Sequence, residues 1–433
     1  MQGDPLFRLK KMLPRIRARF PYIDRDILGN PRIYLNNGAG TLTLDSAAHA
    51  LGEVFQKANS MPGQAYPAEM ATAELHWETR RMAADFLNAS SPVEISFHFS
   101  ATSALFNLAY SLSGLLTASQ NIIVTDLDHM ANVSPWEEIW GRRFGADVRR
   151  ASVTEGGELN VEHLLSLTDE DTGLVALTMA SNGFGTIVPL KEIADAVRLR
   201  SPRCLICVDA VHHALHGPID VQAESCDFLV FSGYKVFGPM MGILWGREEI
   251  LDRLQPYRVE TAKDELPVRM EQGMLPNASL AALNEALGYF VWLAEELGME
   301  KKRSNRRREK FEFALSAVAS YEREISQRIL EAFARLAPRG LECYGIRDPE
   351  RTGDRDPTFA FKIGGMDAAR IKRLLWEGYG IQIADGNHYS AAVFRHLKIP
   401  AISRASFAHY DTMETVEIFL SAVAALCESK GKK

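Results

Sequence analysis

From Glu94 to Gly246 short, almost wholly apolar runs alternate with stretches of helical periodicity. Ile95-Ser96-Phe97-His98-Phe99 leads into Ser100-Ala101-Thr102-Ser103 and then an apolar helix from Ala104 to Leu115. Further strands are predicted at Asn121–Thr125, Gly173–Thr178, Leu205–Val208, Phe228–Phe231 and Gly242–Trp245. Strands interleaved with helices in this rhythm predict an α/β fold whose mainly parallel sheet is covered on both faces. In such sheets ligands bind beyond the carboxyl ends of the strands. Ala101, Asn182, Asp209 and Lys235 all follow strand ends, so they are expected to converge.

From Ala281 to Leu336 the pattern is helical. Strand-like runs at Thr358–Ile363 and Ile381–Ile383, then a last helix from Met413 to Glu428, predict a smaller α+β lobe. No internal repeat and no low-complexity linker interrupts the chain.

The bulk numbers narrow the field. The 433 residues suffice for a large core. With 46% hydrophobic and 24% charged residues, the composition is that of a water-soluble globular protein. A net charge of −6 gives no electrostatic case for nucleic acid or an anionic membrane. Met1 to Arg19 is basic and lacks an apolar core, so it does not read as a signal peptide, and no segment reads as a membrane span. Five cysteines without framework spacing fit a cytoplasmic protein. The Cys204/Cys207 pair falls inside a predicted strand and is expected to be core, with no metal site. The basic run from Lys301 to Arg308 is expected to be a solvated helix face.

The chemistry concentrates in Phe231-Ser232-Gly233-Tyr234-Lys235-Val236-Phe237-Gly238-Pro239. A lysine at the end of a buried strand is costly unless its amine is neutral or covalently used. A Schiff base with pyridoxal 5'-phosphate (PLP) would use it so, because desolvation makes the amine nucleophilic. The apolar run Cys204–Val208 ends in Asp209, and PLP needs such a carboxylate to keep its pyridine nitrogen protonated. Thr102 and Ser103 open a helix, where backbone N–H groups and the dipole favour a phosphate. Ser232 adds a hydroxyl. A nucleotide-binding reading fails, since no GxGxxG or GxxxxGK[ST] follows an early strand.

These motifs, from Tyr34-Leu35-Asn36-Asn37-Gly38-Ala39 to Arg404-Ala405-Ser406, resemble the class V aminotransferases of PLP fold type I, in their cysteine-desulfurase-like branch. The resemblance implies a large PLP-binding domain with a seven-stranded-type sheet (31–285), a small C-terminal domain (286–433), and an N-terminal arm (1–30) joining the latter. It implies that Lys235 binds PLP and moves the substrate proton, and that Asp209 pairs with the pyridine nitrogen. His129 would stack on the ring and assist acid–base steps, with Asn182 near the ring hydroxyl and the substrate. Ala101, Thr102, Ser103, Ser232 and Tyr234 would border the phosphate, and His212 the ring oxygen. Asn37, Asn182, His388 and Arg404 would meet the substrate, Arg404 through its α-carboxylate. A homodimer is implied as well.

Departures from the family pattern bear on the reaction. Desulfurases carry a cysteine nucleophile in a segment that resembles Asp385-Gly386-Asn387-His388-Tyr389-Ser390, where Tyr389 stands near the cysteine position. A phenol cannot form a persulfide. Met274 occupies the position of a threonine that reaches the partner's phosphate in the family. The expectation is a PLP enzyme acting on an α-amino acid through Lys235. A C–S or β-elimination lyase without a persulfide cysteine leads, with Tyr389 or His129 as acid. Epimerisation or racemisation, transamination, and a non-catalytic PLP-binding protein are the alternatives.

Overall fold

The computed structural model describes residues 4–58, 60–299 and 306–428. Its thirteen strands are β1 (Ile33–Tyr34), β2 (Ile95–His98), β3 (Asn121–Thr125), β4 (Val148–Ala151), β5 (Thr172–Thr178), β6 (Leu205–Asp209), β7 (Phe228–Ser232), β8 (Gly242–Gly246), β9 (Leu341–Tyr344), β10 (Thr358–Ile363), β11 (Ile381–Gln382), β12 (Ala384–Gly386) and β13 (Ile402–Ser406). The helices are α1 (Pro5–Arg17), α2 (Asp45–Lys57), α3 (Pro67–Leu87), α4 (Ala101–Ser111), α5 (Val161–Leu167), α6 (Leu190–Arg200), α7 (Glu248–Leu251), α8 (Asn277–Glu296), α9 (Arg307–Leu336), α10 (Ala368–Tyr379), α11 (Ala391–His396) and α12 (Met413–Glu428).

The central sheet has seven strands in the order β2-β8-β7-β6-β5-β3-β4. Neighbours from β4 through β7 run parallel, and β8 is antiparallel to both β7 and β2. Strands β5 and β7 are buried at every position, which is why they read as unbroken apolar runs. From β5 to β8 the strands lie side by side in chain order, and because β5, β6 and β7 are parallel, the loops carrying Asn182, Asp209 and Lys235 leave the same end of the sheet.

A four-stranded antiparallel sheet, β12-β13-β10-β9, carries the C-terminal part of the chain. The stretch expected as one helical region is two helices, α8 and α9, because Gly298 turns the chain at φ +94° after α8. The Ile381–Ile383 run does not enter the four-stranded sheet. Its β11 pairs in parallel with β1, so the segment entering the large sheet is strapped to the C-terminal part of the chain. Of the basic run, residues 301–305 lie outside the described residues, while Arg307 and Arg308 sit in α9. Arg307 is paired with Glu78 and Asp85, and Arg308 donates to the carbonyls of Phe86 and Ile219. These two arginines fasten α9 to its neighbours, contrary to the expectation of a solvated face. Cys204 and Cys207 are buried core residues. Among the described residues no helix is long and apolar enough to cross a membrane.

Candidate active site

Lys235 follows β7 in a tight turn and is 6% exposed. Gly233 makes the turn possible, since a Cβ there would meet the Pro239 carbonyl oxygen at 2.6 Å. Burial, then the nearby Arg404 guanidinium, draw the Lys235 amine down to about 7, while Asp209 opposes them. The amine donates to the carbonyl of Gly38. Near neutral pH a large share of it is therefore the free base, the form that attacks a carbonyl carbon.

Asp209 ends β6 and accepts from the Val211 amide at 2.9 Å. Burial raises its carboxyl to about 6, against the pull of that amide and of Lys235. A buried carboxylate of this kind gains most from a cationic partner, which a protonated pyridine nitrogen supplies. Behind it, Asp128 is pushed by burial to about 8 and bonds Asn132 and Thr125.

Lys235 and Arg404 are shared electrostatic neighbours of His129, His212 and His388. Desolvation first, then these cations, lower His129 to about 4 and His388 to about 3, and His212 also moves down. All three are thereby held toward the neutral imidazole. The His129 Nδ1 accepts from the Ala131 amide at 3.0 Å, which leaves the ring proton on Nε2. Its ring lies 5.5 Å from that of the exposed Tyr389.

The segment 385–390 is tied across this site. Asn182 Nδ2 donates to the His388 carbonyl at 2.7 Å, and Ser390 Oγ donates to Asn182 Oδ1 at 2.6 Å. The Met130 amide donates to the Tyr389 carbonyl at 2.8 Å. Arg404, in the middle of β13, donates to the Asn182 carbonyl at 2.7 Å, while its Nε is buried without a partner. An unpartnered buried guanidinium nitrogen is an open demand for an acceptor, and a substrate carboxylate meets it.

The helix N-terminus suited to an anion is that of α4. Its N-cap is Ser100, and Ser103 completes a reciprocal capping box with it. The Ser103 hydroxyl also donates to the Ser100 carbonyl at 2.8 Å, so both its amide and its hydroxyl are engaged. Ser103 thus takes part in capping the helix, a role compatible with a phosphate at the same end. Ala101 and Thr102 remain, with backbone N–H groups that have no intrahelical acceptor, and Thr102 is exposed. Gly242, opposite Ser232 in the β7–β8 register, lets this turn come close, because a Cβ there would meet Ser100 C at 2.3 Å. Tyr234 is half-buried and its carbonyl accepts from Thr41.

Asn37 is buried and bonded across the fold. Its Nδ2 donates to the Ser406 carbonyl at 2.9 Å and its Oδ1 accepts from the Tyr410 hydroxyl. These two bonds hold the loop after β1 against β13 and leave one Nδ2 hydrogen and one Oδ1 lone pair of the amide unused. Residues that motif reasoning did not single out do the shaping instead. Gly38 accepts from Lys235, and a Cβ on it would meet Arg404 Cζ and Ser406 Oγ at 3.0 Å. Ser406 Oγ accepts from the Gly38 amide at 2.6 Å. Gly38 and Ser406 lie within the flanking motifs, but only their meeting across the chain shows what they do.

The residues therefore fit PLP: a buried low-pKa amine, a buried carboxylate, a free helix N-terminus and an orphaned arginine. Comparison with known proteins agrees. The family model Aminotransferase class-V matches residues 33–419. The chain belongs to the class V aminotransferase family. Curated cysteine desulfurases from Yersinia pestis (strain Pestoides F) and Yersinia pseudotuberculosis (serotype O:3, strain YPIII) are each 30% identical to it over 427 residues, covering 94% of this chain and 96% of theirs. Among solved structures, the apo cysteine desulfurase from Thermococcus onnurineus NA1 matches with a TM-score of 0.82 at 23% identity, over 96% of this chain and 98% of that one. The cysteine desulfurase CsdA from Escherichia coli matches with a TM-score of 0.77 at 25% identity, with the same two coverages. As a class V aminotransferase family member the protein is a PLP-dependent enzyme with the α/β architecture of fold type I.

Proposed function

We propose that this class V aminotransferase family member cleaves a β-substituent, with a C–S bond as the leading case, from an α-amino acid without carrying sulfur on a cysteine. The observation that carries the reading is the segment 385–390, which holds Tyr389 over His129 and contains no cysteine. The five cysteines lie elsewhere, and burial pushes Cys204 and Cys226 up to about 12, where thiolate is scarce.

PLP bound at Lys235 supplies an electron sink for the substrate's α-carbon. Arg404 Nε takes the α-carboxylate and fixes the substrate's orientation. Lys235, a base near neutrality, takes the α-proton. The Tyr389 phenol is the acid for the departing group, and His129, neutral with its proton on Nε2, donates a hydrogen bond without giving that proton up. Asn182 and Ser390 hold the covering segment in place. Ala101 and Thr102 with Ser232 would receive the phosphate, and His212 would border the ring oxygen.

The same reading includes a homodimer. Phe99, Met240 and Met274 are exposed apolar side chains, and Phe99 directly precedes the phosphate-binding turn.

The deciding experiment is product analysis on the PLP-loaded protein with L-cysteine, cystine and other β-substituted L-amino acids. Elimination releases pyruvate and ammonia, whereas desulfuration leaves alanine. Alanine as the main product overturns the reading. A D-amino acid product without release of pyruvate establishes epimerisation in its place, and an amino-group transfer to an oxo acid establishes transamination.

A further inference from the structure

A second group of buried ionisable residues joins the turn after β6 to the segment before β10. His212 and His216 stand four residues apart in the turn after β6, and Asp356 lies just before β10. Each offers one ligand atom, and these atoms lie within 4.8 Å of one another. All three residues are at most 5% exposed.

Their hydrogen bonding suits a cation better than a closed polar network. His212 Nε2 is buried with no hydrogen-bond partner. His216 Nδ1 bonds Glu322 Oε2 at 2.9 Å, which holds its proton there and leaves Nε2 as a lone-pair donor. A ligating histidine whose other nitrogen faces a carboxylate is the recurrent arrangement around bound metals. Asp356 is itself oriented by His213 Nδ1, at 3.0 and 3.2 Å from its two oxygens. Glu322 Oε1 is a further buried acceptor without a partner.

Access and charge also agree. A cavity of about 210 Å³ is lined by His216, Glu322, Asp356 and His213, and its rim includes the exposed Arg323 and Gly353. The two carboxylates of Asp356 and Glu322 balance a double positive charge. Arg355, next to Asp356 in the chain, spends its guanidinium on the carbonyls of Ile346, Phe184 and Thr358, while Lys235 and Arg404 are the cations that act on His212.

We propose that His212, His216 and Asp356 form a site for a divalent first-row transition cation, with Glu322 and His213 orienting the ligands. Two imidazoles and one carboxylate are the donor set of zinc-type and related ions. Such an ion ties the turn after β6 to the segment before β10. Its ligand His212 is also the residue that would border PLP in the reading above, and bonding to the ion through the unpartnered Nε2 would leave Nδ1 free.

The test uses PLP-loaded protein stripped with a chelator and titrated with Zn²⁺ by calorimetry and with Co²⁺ by visible absorption. One saturable equivalent is expected, weakened by about tenfold or more in Asp356→Asn and in Glu322→Gln. X-ray absorption of the wild-type zinc adduct, which needs no variant, is expected to show imidazole scattering with Zn–N near about 2.0 Å. Absence of stoichiometric binding, equal affinity in a folded Asp356→Asn, or an adduct without imidazole ligands each overturns the site. Equal affinity identifies the binding as adventitious, on surface histidines.

Discussion

Asn182 Nδ2 donates to the main-chain carbonyl of His388 at 2.7 Å, joining residues 206 positions apart. The bond crosses from the loop after β5 to the segment that covers the active site, and Ser390 Oγ completes it from the other side. His388 and Tyr389 are both held at positive φ, 52° and 58°, a conformation non-glycine residues adopt only where the surroundings enforce it. Segment 385–390 is thus a fitted cover whose shape depends on a few directional bonds.

Removing one of those bonds tests the cover without touching the cofactor. Ser390→Ala deletes the donor to Asn182 Oδ1. The expected outcome is a fall in kcat/KM of about ten- to a hundredfold, since small misplacements of this kind are that costly. The visible spectrum of the bound cofactor is expected to stay unchanged. Faster proteolysis within 385–390 would accompany the loss. Wild-type kinetics would show that the segment is positioned by other contacts.

Lys235 makes two predictions of opposite sign. Lys235→Ala is expected to abolish the visible absorption band of the bound cofactor and turnover together. Lys235→Met, by contrast, removes a buried amine and is expected to stabilise the cofactor-free protein by about 1–3 kcal/mol near pH 7.

The pH dependence of that difference follows from the amine's shift from 10.5 to about 7. Between those values the unfolded chain binds the extra proton, so wild-type stability is expected to rise with pH across the window. Below about 7 both states are protonated and the contribution is flat. Chemical denaturation of the cofactor-free wild type and of Lys235→Met at several pH values checks this. Parallel profiles for the two proteins would contradict it.

Gly242 lets helix α4 approach β8, and a methyl group there would run into the Ser100 backbone at 2.3–2.4 Å. Neither partner is a flexible side chain, so the helix N-terminus must move. Gly242→Ala is expected to weaken PLP binding by about tenfold or more, the equivalent of about 1.4 kcal/mol. Fluorescence titration of the cofactor-free protein measures it, and unchanged affinity would place the phosphate elsewhere.

Arg80 and Glu271 form a buried ion pair, 2.6 Å apart with both side chains under 5% exposed. Glu271 Oε1 also accepts from the Phe97 amide of β2 at 3.0 Å, so the pair links α3 to the edge of the large sheet. Breaking one partner strands a buried charge. Arg80→Ala is expected to cost about 3–5 kcal/mol of stability in chemical denaturation. A cost under about 1 kcal/mol would mean that water reaches the pair.

Much of the large sheet was legible because its central strands are buried on both faces and therefore carry unbroken apolar runs. Strand β4 was not, since Val148-Arg149-Arg150-Ala151 lies at the sheet edge, where half-exposed arginines are tolerated. Helices α2 and α3 were passed over as well. Lys235 and Asp209 were legible for a related reason: an ionisable residue at the end of an apolar run is costly to bury and so stands out. The structural bonds of Asn37 and Ser103 were not legible, because residues of their type and place suit a ligand and a structural bond equally well. Only the positions of Tyr410, Ser406 and Ser100 show which bond each makes.

What the sequence determined by itself was the alternation of elements, the carboxyl-end placement of the reactive groups and the chemistry of a buried amine facing a buried carboxylate. These are local, since they depend on which residues follow which along a strand. The tertiary structure decided the rest: β11 strapped to β1, Arg404 left with an unpartnered nitrogen, segment 385–390 fastened to Asn182, and His212, His216 and Asp356 gathered around one point. Each of these joins residues over a hundred positions apart, apart from the one-turn step between the two histidines and the orphaned nitrogen that such packing leaves. Contacts of that kind are fixed by how the two sheets pack, and no pattern along the chain encodes them.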